Sequence, residues 1–215
     1  FAGEHSWFYK DKTISMAMNL YVHIAVSKRD DGLAKIYFHQ LNDRKKITIS
    51  TNKFRKEDKW ANAVKSVIYG FTSGGFSIGG VDITVYTDIM PSAGFGITTA
   101  MKAATAIALR KLFELNCSDV QLLQVLERGN RLFLKRNNFL SDNYAALFAK
   151  KGSLIITDYA KNSWDYVPFN FPNRKIIITD TTVPRISVWN EDTLFDPKYA
   201  LLLGELKDKK NNVYG

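Results

Sequence analysis

"PSAGFGITTAMKAATAIAL", Pro91 to Leu109, is the stretch on which the fold turns. Just ahead of it, "VDITVYTDI" alternates apolar and polar residues, with Val81, Ile83 and Val85 on one face, the pattern of a half-buried strand. Behind it, alanine-rich sequence at helical spacing predicts a helix from about Thr98 to Leu115. The turn between them carries Gly94, Gly96, Thr98 and Thr99. A helix start leaves about four backbone N–H groups without partners and carries partial positive charge. Glycines there let backbone approach a phosphate closely, and threonine hydroxyls donate to phosphate or ligate a metal. The small residues Ala100, Ala103 and Ala104 permit close packing behind the turn. From the residues alone two readings stay open: a phosphate cradle, or a plain strand-to-helix connection with a capping threonine.

Upstream, "EDKWANAVKSVIYGFTSGG" has helical spacing, with Trp60, Val64, Val67, Ile68 and Phe71 on one side and Gly74-Gly75 as its stop. From Thr13 to Val26 apolar and polar residues alternate, which predicts one long strand. Asp30-Asp31-Gly32 reads as a turn, "LAKIYFHQL" as the returning arm of a hairpin, and "KITIS" as a third strand. Downstream, Ser118 caps a second helix, "DVQLLQVLERGNRLFL". "SLIITDY" and "RKIIITDTT" are short apolar strands, and Phe195 to Lys210 reads as a helix. Strands, then helices, then strands argue an α+β fold rather than an alternating doubly wound sheet.

With 215 residues, 46% hydrophobic and 24% charged, the chain is large enough for one large domain or two small ones and reads as soluble and globular. No apolar run approaches the roughly 20 residues of a membrane span. The opening FAGEH has neither the basic start nor the cleavage site of a signal peptide. Cys117 is the single cysteine, which excludes an internal disulfide and a cysteine zinc cluster and fits a reducing, cytoplasmic setting. The net charge of +9 suits an anionic partner such as a nucleotide. Its lysines and arginines, however, are scattered among acids (Arg44-Lys45-Lys46, Lys53 to Lys59, Lys207 to Lys210) as on solvated faces, so nucleic-acid binding is not expected. His23 and His39 sit in strand patterns without a third ligand at metal spacing and read as structural. Trp164, Tyr166 and Phe169, beside lysines, read as packing rather than as a base-stacking surface.

Ala93 to Ala100, A-G-F-G-I-T-T-A, resembles the second motif of the GHMP kinases (galacto-, homoserine, mevalonate and phosphomevalonate kinases), A-G-L-S-S-S-A-A. Four further stretches are similar to galactokinase-type members of that family. Gly3-Glu4-His5 looks like the start of the G-E-H-T-D-Y sugar signature, and "DKWANAVKSVIYGF" like the helix ahead of the second motif. "DNYAALFAKKGSLIITD", Asp142 to Asp158, resembles D-Q-F-I-S-L-M-G-Q-K-G-H-A-L-L-I-D without a gap, and "VPFNFPNRKIIITDTTVPR" resembles the V-P-L and I-T-N-S-N-V-R segment that follows. Order and spacing agree from Gly3 to about Arg185.

The resemblance implies a fold like domain 2 of ribosomal protein S5 over residues 1–190, with 191–215 as a linker helix or the start of a ferredoxin-like C-terminal domain largely absent from this chain. It implies an ATP-dependent, Mg2+-requiring kinase that phosphorylates the anomeric hydroxyl of galactose or a related sugar. Ala93, Gly94, Phe95, Gly96, Ile97, Thr98 and Thr99 match the residues that hold the phosphates of ATP, with the hydroxyl of Thr98 or Thr99 near the metal. Asp142 matches the aspartate that orients or deprotonates the sugar hydroxyl; on its residues alone, Ser141-Asp142-Asn143 is also ordinary turn or cap chemistry. Glu4 and His5 match sugar-binding residues, and Trp7 stands where the signature has aspartate, able to stack on a sugar face or narrow the pocket. Trp7, the threonines in the second motif and the lack of the family's third, glycine-rich motif favour a second expectation, a kinase-like sensor that binds ligand or partner without catalysis.

Overall fold

The computed structural model describes residues 2–3, 11–89, 94–135, 140–170, 172, 176, 177 and 179. Its strands fall into two sheets. Strand β1 (Lys12–Ser15) belongs to the smaller and β2 (Val22–Arg29) to the larger, so the single long strand expected from Thr13 to Val26 is two strands. The alternation between them reports extended backbone, which here crosses from one sheet to the other; periodicity does not say which partner an extended segment has.

The larger sheet adds β3 (Leu33–Phe38), β4 (Asp43–Thr48) and β5 (Gly80–Thr87) in the order β2-β5-β3-β4. The hairpin expected of β2 and β3 is therefore not formed. β5 lies between them, antiparallel to β2 (Ile24 opposite Val85) and parallel to β3 (Ile36 opposite Ile83). Burial explains the order: Val81, Ile83 and Val85 are almost fully enclosed, while the inward residues of β2 are only half-buried, so β5 takes the centre and β2 the edge. Arg29 reaches both Asp31 in the turn and Asp82 on β5, and its guanidinium holds the Asp31 carboxyl down at about 2. The strand read as "KITIS" starts earlier, at Asp43, and Ile49 already begins a short 3-10 turn.

Helices α1 (Ala61–Thr72), α2 (Ile97–Leu112) and α3 (Asp119–Arg128) share one core with this sheet, built on Val64, Val67, Ile68, Phe71, Met101, Leu109, Leu122 and Leu126. Trp60, expected inside the first helix, stands at its N-cap and donates Nε1–H to Asp43 at 2.8 Å. Helix α3 opens on a capping box: Ser118 Oγ accepts from the Gln121 amide at 3.2 Å, and the Gln121 side chain accepts from the Ser118 amide at 2.8 Å. The helix expected through Leu134 is α-helical only to Arg128 and continues as a π-turn over Gly129–Phe133. Helix α1 meets this region almost backbone to backbone. A Cβ on Gly70 would lie 2.2 Å from the Val125 carbonyl oxygen, and one on Gly129 2.3 Å from that of Ser66.

In the smaller sheet, β1 pairs with β6 (Ser153–Asp158), and β6 with β7 (Ser163–Pro168), all antiparallel. Helix α4 (Leu140–Phe148) lies on it, with Tyr144, Ile155 and Leu123 forming a second apolar cluster. Trp164 stacks on Phe148 at 4.5 Å, and Tyr166 Oη–H donates to the Phe148 carbonyl at 2.7 Å, so these aromatics are packing residues. Most of "RKIIITDTT", the helix expected over 195–210 and the domain boundary expected at 190 lie outside the described residues. The architecture is mixed α+β. Among the described residues no helix is long and apolar enough to cross a membrane.

Candidate active site

The glycine turn is open. Gly94 (φ 80°) and Gly96 (φ 68°) both take left-handed backbone, which costs a residue with a Cβ about 1–2 kcal/mol. A Cβ on either would meet none of the described residues within 4 Å, so they leave space over the turn. Gly96 is the N-cap of α2 and brings no side-chain cap to the first-turn amides, and that first turn holds no acid. Thr98 is exposed and Thr99 half-buried in the same turn; Ala103 is buried and Ala100 and Ala104 are half-buried behind it. A helix start without an N-cap side chain, space left by the described residues, and hydroxyls suit an anion. Ala93 lies outside the described residues.

Asp142 sits in the first turn of α4. It is exposed, whereas its neighbours Ser141 and Asn143 are buried. The Ser141 amide donates to the Tyr159 phenol at 3.0 Å. The Ser15 hydroxyl, from β1, reaches the Ser141 carbonyl at 3.5 Å. Helix α4 packs against α2, so the helix that opens on the glycine turn and the helix that presents Asp142 are neighbours. Ala2 pairs with Ile14 of β1 through two backbone hydrogen bonds (3.3 and 3.0 Å), which sets the chain just before Glu4 beside the strand that touches the Asp142 turn. Glu4, His5 and Trp7 themselves lie outside the described residues.

Two buried residues at this junction had no signal in the sequence. Lys102, one helical turn on from Thr98, donates from Nζ to Asn130 Oδ1 at 2.6 Å, and Asn130 belongs to the π-turn. Short π segments inside helices recur at functional sites. Just before it, burial pushes the Glu127 carboxyl above its ordinary range. His23 and His39 stand elsewhere, on the outward face of the larger sheet: His23 bonds Asp88 at 3.1 Å, and both pack on the ring of Tyr86. Among the described residues no group of three His, Cys, Asp or Glu is placed to hold a metal. The side-chain oxygens that Thr98 and Thr99 bring to the turn are hydroxyls, hard donors of the kind that suit Mg2+ together with phosphate.

Residues 61–150 match the family described as the GHMP kinases N terminal domain. The chain is 35% identical over 191 residues to the "Putative galactokinase" of Treponema pallidum, covering 89% of this chain and 48% of that protein. It is 26% identical over 181 residues to the galactokinase of Thermotoga maritima, covering 84% of this chain and 50% of the relative. In three dimensions it superposes on Lactococcus lactis galactokinase complexed with galactose with a TM-score of 0.73 at 18% identity, over 84% of this chain and 50% of that one. Methanococcus jannaschii mevalonate kinase shares the fold with a TM-score of 0.61 at 15% identity, over 77% of this chain and 52% of that one. The chain thus spans about half the length of the curated relatives it matches.

Proposed function

We propose, for a chain that belongs to the galactokinase-like GHMP kinases, that it supplies the phosphate turn and the catalytic carboxylate of an ATP-dependent sugar kinase acting on the anomeric hydroxyl of galactose or a related sugar. The observation that carries this reading is the packing of α2 against α4, which joins an open, uncapped glycine turn to the helix presenting Asp142. In it, the amides from Gly94 to Thr99 hold the phosphates of ATP. Asp142, exposed on the neighbouring helix α4, orients the sugar hydroxyl and accepts its proton as the oxygen attacks phosphorus. Thr98, with Thr99 beside it, would hold Mg2+ together with the phosphates, and the bound ion neutralises charge developing on the phosphoryl oxygens. By the family resemblance Ala93 belongs to the same phosphate motif, and Glu4, His5 and Trp7 to the stretch that binds the sugar. The substrates are a small sugar and ATP, and the single, buried cysteine fits a cytoplasmic setting.

The full-length native protein, given ATP, Mg2+ and galactose, is expected to release ADP. Asp142→Asn should lower kcat by about 10²–10⁴-fold, the usual worth of a positioned acid or base, with the melting temperature retained. Normal turnover in that variant would remove Asp142 from its role. Trp7, in place of the signature's aspartate, favours a second reading: a sensor that binds ATP or sugar without transfer. ATP binding by the native protein with no turnover on any hexose would decide for it.

A further inference from the structure

The turn that carries Asp142 is held from beneath by Tyr159 and Ser15, which lie outside the stretches that carry the family resemblance. Ser141 and Asn143 point into the protein and Asp142 points out. On the face of the smaller sheet that meets α4, Thr13 of β1 stands opposite Thr157 of β6, with Ser15 two positions along β1 on the same side. Tyr159 follows β6 directly, its own amide bonded to the Asp11 carbonyl at 3.3 Å and its ring 8% exposed. Its hydroxyl accepts the Ser141 amide, a first-turn N–H that has no partner within the helix. The Ser15 hydroxyl approaches the Ser141 carbonyl. Both peptide groups leading into Asp142 are thus tied to the smaller sheet. Thr13 Oγ1, Thr157 Oγ1 and Asn143 Nδ2 are buried with no hydrogen bond to any described residue, so among these side chains the direct ties to Ser141 are those of Tyr159 and Ser15.

We propose that Tyr159 is a positioning residue for Asp142. Its phenol, assisted by the Ser15 hydroxyl, fixes the first turn of α4 so that the Asp142 carboxylate meets the sugar hydroxyl at one distance and angle. The smaller sheet is then part of the catalytic machinery and not only a cover for α4. This rests on the reading of Asp142 as the carboxylate that handles the sugar proton. Alignment is the quantity at stake, since a shift of about 1 Å at a reacting group can cost about 10²-fold in rate.

The test is steady-state kinetics of the full-length native protein with ATP and galactose across pH, for the wild type, Tyr159→Phe, Ser15→Ala and Asp142→Asn. Tyr159→Phe should lower kcat by about tenfold or more, leave the KM for ATP within about twofold, and displace the acidic limb of the kcat–pH profile. Ser15→Ala should move kcat the same way by less, and it stands in if Tyr159→Phe does not fold. Lost packing alone would reduce the active fraction without moving the pH limb. Wild-type kcat and pH profile in Tyr159→Phe, with Asp142→Asn inactive, overturns this proposal and spares the reading of Asp142. Full activity in Asp142→Asn, or no turnover by the wild type on any hexose, overturns both.

Discussion

Lys102 Nζ donates to Asn130 Oδ1 at 2.6 Å, and both side chains are buried. The bond ties α2, one turn beyond the glycine turn, to the π-turn after α3. Lys102→Met keeps the aliphatic stem and removes the ammonium, leaving Asn130 Oδ1 without this donor. A loss of about 1–3 kcal/mol is expected, read as a lowered urea midpoint. An unchanged midpoint would show that the ammonium does not brace the turn.

Gly129→Ala sets a helix-propensity gain of at most about 1 kcal/mol against a steric conflict. The added Cβ would stand 2.3 Å from the Ser66 carbonyl oxygen, and backbone cannot swing aside as a side-chain tip does. Steric conflict wins: the variant should be less stable by about 2 kcal/mol or more in thermal or urea unfolding. A variant as stable as the wild type would mean that α1 and the π-turn are farther apart than described.

Burial holds the Glu127 carboxyl above its ordinary range, with Arg131 opposing that shift. The sign follows from linkage. Below the ordinary carboxyl pKa both folded and unfolded chains keep the proton, and the residue costs nothing. As pH rises, the unfolded chain releases the proton first, and stability falls until the folded carboxyl ionises as well. Glu127→Gln should therefore raise the melting temperature at pH 7 and make no difference near pH 3. A gain at pH 3 as large as at pH 7 would remove ionisation as the cause.

What was legible in the sequence was whatever depends on near neighbours. Val64, Val67, Ile68 and Phe71 fall on one face because helix geometry puts them there, and all four are core. Ser118, read as a cap, does cap α3, accepting from the Gln121 amide three residues on. Gly94 and Gly96 mark a turn ahead of α2, and a turn stands there, both glycines with positive φ. What failed depends on distant partners. The contact of Tyr159 with Ser141 joins residues 18 apart, and that of Ser15 with Ser141 residues 126 apart, and neither leaves a local pattern. Helix α4 was missed because Ser-Asp-Asn reads as a turn until the apolar run after it is seen to need a sheet beneath. β7 was missed because "SWDYVP" is an edge strand whose outward residues dilute its pattern.

The seating of β5 between two strands that are consecutive in the chain has a kinetic consequence. Leu33 follows Arg29 after a three-residue turn, and the nearest thing an unfolded chain can build there is a direct ribbon of the two flanking segments. Such a ribbon occupies the slot that a segment some fifty residues downstream must fill (Asp82 beside Ser27 and Lys35), so it has to come apart before the sheet can close. Refolding followed by stopped-flow fluorescence is accordingly expected to pass through a slow, denaturant-accelerated phase, and a single fast phase at every denaturant concentration would show that no such ribbon forms.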